Sequence, residues 1–260
     1  MTAPDILAFD FDGVICDGLI EYFQTAWNAY CRIWKPDSST PPDGLAERFY
    51  RLRPVVETGW EMPLVLRSLL MGMSDEEILD HWQAIAHQQV KTEGIDPAQL
   101  AALVDGGRDE WIARDVDNWL AQHRFYPGIL DRLQQLLASS TQVMIITTKE
   151  GRFVKQLLHQ QAVEIPADAI YGKEIKQPKH QTLRQLQATA SSPEIWFVED
   201  RLKTLQSVKS QPDLESVKLF LADWGYNTQG DRTQAEQDDC IQRLSLDQLA
   251  QPLSAWMNSH

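Results

Sequence analysis

The chain begins with a short unbroken apolar run, Ile6-Leu7-Ala8-Phe9, that stops at Asp10. Continuous rather than alternating apolarity predicts a strand covered on both faces, as in a parallel sheet. After Asp17-Gly18 the spacing changes. Leu19, Tyr22, Phe23, Trp27, Tyr30 and Trp34 recur at helical intervals and predict a long amphipathic helix. Lys35 to Asp43, rich in Pro, Ser and Thr, reads as a loop. From Gly44 to Gln122 the signals are helical and no convincing strand is found. Ser74 with Glu77 three residues on predicts a capping box and a helix through about Val90. Asp96-Pro97, an N-cap followed by proline, opens another helix. Gly106-Gly107 is expected to break the chain before a helix over Trp111 to Leu120.

Beyond Tyr126-Pro127-Gly128 strand and helix alternate. Apolar runs at Val143 to Ile146, Ile170-Tyr171, Ile195 to Val198 and Val217 to Leu221 predict strands. Between them, helices are predicted over Ile129 to Leu137 and Phe153 to Gln160, around Leu183 and Leu186, and over Leu202 to Val208. Strands separated by helices at this interval make βαβ units, hence an α/β fold, a Rossmann-like parallel sheet with helices on both faces. The helical block interrupts that sheet after its first strand and is too long for a single loop. The predicted organisation is therefore an α/β core of residues 1–16 and 125–260 with an inserted all-helical cap of residues 17–124.

Composition narrows the class. The 260 residues are 43% hydrophobic and 23% charged, enough to bury a sizeable core. A formal net charge of −13 repels nucleic acid phosphates and anionic lipid, so neither is an expected partner. No apolar run approaches the length of about 18 residues that a membrane span needs. The first residues lack a signal-peptide pattern. Three widely spaced cysteines, Cys16, Cys31 and Cys240, give neither a disulfide framework nor a metal motif. A soluble cytoplasmic protein is expected.

Four stretches fall at predicted strand ends or open the following helix, the edge of a parallel sheet where ligands bind. They are Asp10-Phe11-Asp12-Gly13-Val14, Thr147-Thr148-Lys149, Lys176 to Lys179, and Glu199-Asp200. Singly each has a bland account, since a carboxylate ending a strand is often a turn-former or a helix cap. Together they carry chemistry. Carboxylates from two strands can share a divalent cation, hydroxyls can hold an oxyanion, and a lysine supplies a point charge for phosphate. That set suits phosphoryl transfer.

In this order the motifs resemble those of the haloacid dehalogenase superfamily of aspartate-nucleophile phosphohydrolases. The first motif, an apolar strand followed by Asp-x-Asp-Gly, is Ile6 to Gly13; the second, a strand ending in Thr or Ser, is Val143 to Thr147. The fourth, a strand ending in acids, is Ile195 to Asp200. The third motif departs from the common Lys-Pro-x-Pro. Lys176-Gln177-Pro178-Lys179 offers two lysines, of which Lys179, with Leu183 and Leu186 at +4 and +7, is favoured over Lys176. The interval from Asp12 to Thr147 is more than twice that from Thr147 to Asp200, so the cap lies between motifs one and two. That position resembles phosphoglycolate phosphatases and β-phosphoglucomutases, whose caps close over the site and contact the leaving group.

The resemblance implies a Mg²⁺-dependent phosphatase acting on a small phosphorylated metabolite. Asp10 is then the nucleophile, and Asp12 the acid and base. Thr147, Thr148 and Lys179 bind the phosphoryl group. Mg²⁺ is held by Asp10, the Asp12 backbone carbonyl and Asp200, with Glu199 as ligand or just behind. Asp12 argues against the dehalogenase and phosphonatase chemistries, whose members replace it. A sugar phosphomutase on the same core is the alternative enzyme. A non-catalytic scaffold, with the nine tryptophans as a binding surface, is the non-enzymatic one. Packing within the cap is the simpler account of Trp27, Trp34, Trp60, Trp82, Trp111 and Trp119. Arg53 and Glu57 are cap residues that could read a leaving group, although a solvated helix junction is the simpler account of them. Trp224 to Asn227 either lines the rim of the site or is only a turn. The six histidines show no ligand spacing; His180, beside Lys179, either touches phosphate or is simply exposed. Substrate identity and oligomeric state are not encoded in any motif.

Overall fold

A computed structural model of the protein describes residues 3–188 and 193–257. In chain order the strands are β1 (Ile6–Phe9), β2 (Cys16–Asp17), β3 (Arg124–Phe125), β4 (Gln142–Ile146), β5 (Ile170–Tyr171), β6 (Ile195–Glu199), β7 (Lys218–Ala222) and β8 (Ile241–Leu244). Six of them form one parallel sheet in the order β5-β4-β1-β6-β7-β8, while β2 and β3 pair antiparallel in a separate two-stranded ribbon. Every side chain of β1 is buried, as its unbroken apolarity requires of a central strand.

Alternate residues of the strands serve opposite faces. Ile6, Ala8, Ile195 and Phe197 pack with Leu183, Leu186, Leu202 and Leu205 from the helices Lys179–Ala188 and Leu202–Lys209. Trp196 meets Phe220 and Trp256 at ring-centroid distances of 5.2 and 5.9 Å. The register matters most for chemistry. Phe9 stands level with Ile145 on β4 and with Val198 on β6. Asp10, Thr147 and Glu199-Asp200 therefore emerge together at one edge of the sheet. The Asp10 N–H donates to the Val198 carbonyl at 2.9 Å, and the Thr147 N–H to the Tyr171 carbonyl at 2.9 Å. These bonds hold the strand ends in line.

The chain divides into two compact units, one running through Asp17 and resuming at Arg124, the other Gly18–His123. Asp17 and Arg124 face each other in the β2·β3 ribbon. Among the described residues the second unit holds no strand. Its helices are Leu19–Trp34, Leu45–Leu52, Met62–Leu70, Asp75–Glu93, Pro97–Arg114 and Val116–Leu120, with short 3-10 turns at Arg53–Val55 and Gly59–Glu61. Its tryptophans pack inward: Trp27, Trp82, Trp111 and Trp119 are buried, and Trp34 and Trp60 lie against the core cluster. Trp27, Tyr30 and Trp34, one turn apart, stack in sequence at 5.1 and 4.9 Å.

Two helix expectations need correction. Gly106-Gly107 does not break the chain, because the helix Pro97–Arg114 runs through both glycines. Each costs about 1 kcal/mol relative to alanine, and burial of Leu100, Val104 and Trp111 on either side outweighs it. The break falls instead at Asp115, whose side chain accepts the Asn118 N–H and starts Val116–Leu120, so Trp111 to Leu120 is not one helix. The Ser74 half of the predicted capping box is made, its hydroxyl accepting the Glu77 N–H. Among the described residues no helix is long and apolar enough to cross a membrane.

Candidate active site

Asp10 is carried directly on the end of β1 and is 7% exposed. The chain then turns tightly: the Phe11 carbonyl accepts the N–H groups of Ile15 and Cys16, both at 2.9 Å. Gly13 occupies this turn at φ +90°, a conformation open to glycine. The position also has no room for a side chain, since a Cβ there would lie 2.1 Å from Asp200 Oδ2. Gly225 closes the other side of Asp200, where a Cβ would come within 2.3 Å of the Asp200 Cβ. Asp200 is thus clasped between two glycines. Its Oδ2 accepts the Tyr226 N–H at 2.7 Å, and Asn227 Nδ2 donates to its backbone carbonyl at 3.1 Å. The Trp224 to Asn227 loop is therefore a support that orients Asp200 from behind, with Trp224 Nε1 donating to the Val14 carbonyl at 3.1 Å.

Lys179 is the first residue of the helix Lys179–Ala188. Its ammonium lies 2.8 Å from Asp10 Oδ1 and 2.6 Å from Glu199 Oε2. Lys176 is exposed, at φ +52°, and Lys173 is exposed as well. Of the two lysines in the third motif, the structure brings Lys179 to the carboxylates and leaves Lys176 outside. Burial alone would lower the Lys179 pKa; the charges of Asp10 and Glu199 outweigh it and hold the ammonium protonated. Burial pushes Asp10 up to about 7 despite Lys179, and Glu199 up to about 7 for the same reason. Asp200 is pushed up to about 6 by burial and by the charge of Asp10.

Asp10, Glu199 and Asp200 bring carboxylate oxygens within 4.8 Å of one another. The set fits a hard divalent cation. Asp200 Oδ1 is buried without a hydrogen-bond partner, an oxygen that a cation would satisfy. Glu199 is differently committed. Its Oε2 takes Lys179 and its Oε1 accepts the Arg201 N–H at 3.0 Å. That leaves Glu199 as a support behind the cluster more than a direct ligand.

Thr147 is 6% exposed, and its Oγ1 accepts the Lys149 N–H at 3.1 Å, which turns its hydroxyl hydrogen away to donate elsewhere. Thr148 is exposed at the strand end. Asp12 stands apart from the three-carboxylate cluster, with the Lys149 ammonium 3.2 Å from its Oδ1. Lys149, Gly225, Tyr226 and Asn227 carry parts of this geometry that the motifs alone do not assign. For Lys149 the only available signal was its place in Thr147-Thr148-Lys149. His180 approaches Ser207 Oγ at 3.5 Å and makes no metal cluster; no histidine does among the described residues.

In the helical unit, Arg53 Nη1 donates to the Val56 carbonyl at 3.1 Å, and its guanidinium sits 4.8 Å from the centre of the Tyr22 ring. The Glu57 N–H donates to Glu61 Oε2 at 3.1 Å. Buried Glu61 also accepts Trp82 Nε1 at 2.8 Å and so ties the turn after Glu57 to the helix Asp75–Glu93.

No curated protein matches the sequence. Among solved structures, a haloacid dehalogenase-like family protein from Streptococcus pneumoniae shares 17% identity over 95% of each chain, with a TM-score of 0.57. A protein described as a predicted phosphoglycolate phosphatase from Haemophilus somnus shares 15% identity over 96% of each chain, with a TM-score of 0.58. A hydrolase from Pseudomonas syringae shares 13% identity over 88% of this chain and 89% of its own, with a TM-score of 0.53. At these identities the likeness speaks for the fold. The family model for haloacid dehalogenase-like hydrolases matches residues 4–210, which span every motif above, and the chain belongs to that hydrolase family.

Proposed function

We propose that the protein is a Mg²⁺-dependent phosphatase that hydrolyses a small phosphate monoester through an aspartyl-phosphate on Asp10. The observation that carries this reading is the Lys179 ammonium, 2.8 Å from Asp10 and 2.6 Å from Glu199, beside the unpartnered Asp200 oxygen. A buried anionic nucleophile, a cation for phosphoryl charge and an uncommitted hard ligand stand together at one sheet edge.

Asp10 attacks phosphorus. The bond from phosphorus to the alcohol oxygen breaks, its electron pair stays on that oxygen, and Asp12 supplies the proton. Asp12 then takes a proton from water as the water oxygen displaces Asp10 from phosphorus. Thr147 donates its hydroxyl hydrogen to a phosphoryl oxygen, Thr148 lies next to it at the strand end, and Lys179 offsets the charge that builds around Asp10. Asp10, Asp200 and the Asp12 backbone carbonyl would hold Mg²⁺, with Glu199 behind them. When bound, the cation neutralises carboxylate charge and draws electron density from the phosphoryl oxygens.

The substrate class is a small phosphorylated metabolite, and the phosphoglycolate phosphatase description of a structural relative places 2-phosphoglycolate first in a test panel. The experiment is phosphate release from a panel of monoesters with Mg²⁺ or with EDTA, for the wild type and Asp10→Asn. Activity is expected only in the wild type with Mg²⁺. Undiminished turnover by Asp10→Asn, or in EDTA, would sink the mechanism.

A further inference from the structure

We infer that Lys149 is a positioning residue for Asp12, a second lysine that holds the acid–base carboxylate in its working orientation. This inference rests on the phosphatase reading above. Four carboxylates stand at the sheet edge, and two lysines pair with three of them. Lys179 faces Asp10 and Glu199, while Lys149 faces Asp12. The Lys149 side chain is 9% exposed and that of Asp12 is 16% exposed. Holding a second ammonium this far from water is unfavourable unless a carboxylate faces it.

What the placement returns is orientation. The terminal torsion of an aspartate is broad and nearly two-fold, so an unassisted carboxylate swings and exchanges its oxygens. Lys149 removes that freedom from Asp12. Its own backbone is pinned on both sides, the N–H donating to Thr147 Oγ1 at 3.1 Å and the carbonyl accepting the Lys173 N–H at 2.9 Å. The ammonium is delivered from this fixed point to Asp12 Oδ1, an oxygen shielded from solvent. The other oxygen is left to exchange the proton. In the first step the Asp10–phosphorus bond forms and the phosphorus–alcohol bond breaks, and the alcohol oxygen keeps the electron pair and takes the Asp12 proton. Lys149 neither gives nor takes a proton in this step. One backbone tether thus coordinates two jobs, because the same N–H that anchors Lys149 also aims the Thr147 hydroxyl.

A residue acting through the acid has a signature that a merely structural residue lacks. p-Nitrophenolate leaves without a proton, whereas an alkoxide needs one. The experiment compares wild type, Lys149→Met and Lys149→Arg on p-nitrophenyl phosphate and on glycerol 3-phosphate, both with saturating Mg²⁺. Lys149→Met is expected to lower kcat on glycerol 3-phosphate roughly 10²-fold with little change in KM. The pre-steady-state burst of nitrophenolate should keep its wild-type rate, and Lys149→Arg should recover most of the lost alkyl phosphate activity. An equal fall in burst rate and alkyl turnover would mean that Lys149 contacts the phosphoryl group directly and would overturn the inference. Wild-type alkyl turnover in Lys149→Met overturns it as well. Circular dichroism checks that the variants fold, and Lys149→Gln replaces Lys149→Met if the latter does not. An alkyl monoester that the panel shows to be turned over replaces glycerol 3-phosphate if the latter is not. A wild type inactive on every monoester of the panel instead rejects the phosphatase reading itself, a failure seen before any variant is compared.

Discussion

The Lys179 ammonium stands between two carboxylates that burial drives toward the neutral form, and its charge partly offsets that drive. Removing it leaves Asp10 and Glu199 buried without their cation, and Asp10 is then a poorer nucleophile. Lys179→Ala is therefore expected to lower kcat by roughly 10²-fold or more, as loss of a close charge at a shielded phosphoryl site does. Lys176→Ala should stay within about twofold of wild type, because that exposed side chain shares no ion pair with the cluster. Steady-state kinetics on the best monoester of the panel decides, and a crippled Lys176→Ala beside a healthy Lys179→Ala reverses the assignment. The sequence favoured Lys179 because Leu183 and Leu186 set the phase of the helix, and both are buried, but its meeting with Asp10 and Glu199 came only with the fold. Lys149 was not readable in the same way. Its meeting with Asp12 depends on β4 lying beside β1 in a particular register, and no local spacing encodes that register.

At the level of elements, the long helices announced themselves through periodicity and caps. Ser74 and Asp96 both cap as their residue types predict. Gly106-Gly107 misled because local propensity is weak beside tertiary burial of the residues around it. The short pieces β2, β3 and β8 went unpredicted. Cys16–Asp17 and Arg124–Phe125 each carry a charged residue and lack the apolar pair that marks Ile170–Tyr171, and Ile241–Leu244 is an edge strand with partly exposed positions. One helix carries a buried charge that periodicity alone makes puzzling: Glu21, 1% exposed in its side chain, on Leu19–Trp34. Arg108 Nε donates to it at 2.7 Å and Thr25 Oγ1 at 2.7 Å. Glu21→Ala leaves Arg108 facing the exposed Asp105, 3.5 Å away, and the expected loss is about 3 kcal/mol, the lower end for breaking a buried pair, because Arg108 keeps that contact and 24% exposure. Urea unfolding measures it. Replacing both partners, as Glu21→Met with Arg108→Met, should recover most of the loss, and a single variant as stable as wild type refutes the pairing as a stabilising contact.

For the whole molecule, a net charge of −13 is compounded locally by four carboxylates set against two lysines at one sheet edge. Such a site holds excess negative charge without a cation, so Mg²⁺ should stabilise the folded chain. At a hundredfold excess over Kd the linkage amounts to about 2.7 kcal/mol. Differential scanning fluorimetry with a Mg²⁺ titration is the measurement. Tm is expected to climb with Mg²⁺ in the wild type and not in Asp200→Ala, in which the unpartnered ligand oxygen is gone. A Tm indifferent to Mg²⁺ in the wild type argues that the three carboxylates do not form a cation site.

The amino-acid sequence by itself determined the alternation of strand and helix, the helical stretch set into it, and the acids, hydroxyl and lysine carried at the strand ends. Those features are written in periodicity and in side chains placed where apolar runs stop, which are local properties of the chain. The tertiary structure alone decided which of these groups meet. It selected Lys179 by directing it onto Asp10 and Glu199, committed both oxygens of Glu199 and left one oxygen of Asp200 unpartnered. It also set Asp200 between Gly13 and Gly225, residues far apart in the chain, and turned Lys149 toward Asp12. The physical reason is the same in each case. Distances between groups on different strands follow from strand order and register, which are fixed by burying the whole sheet at once.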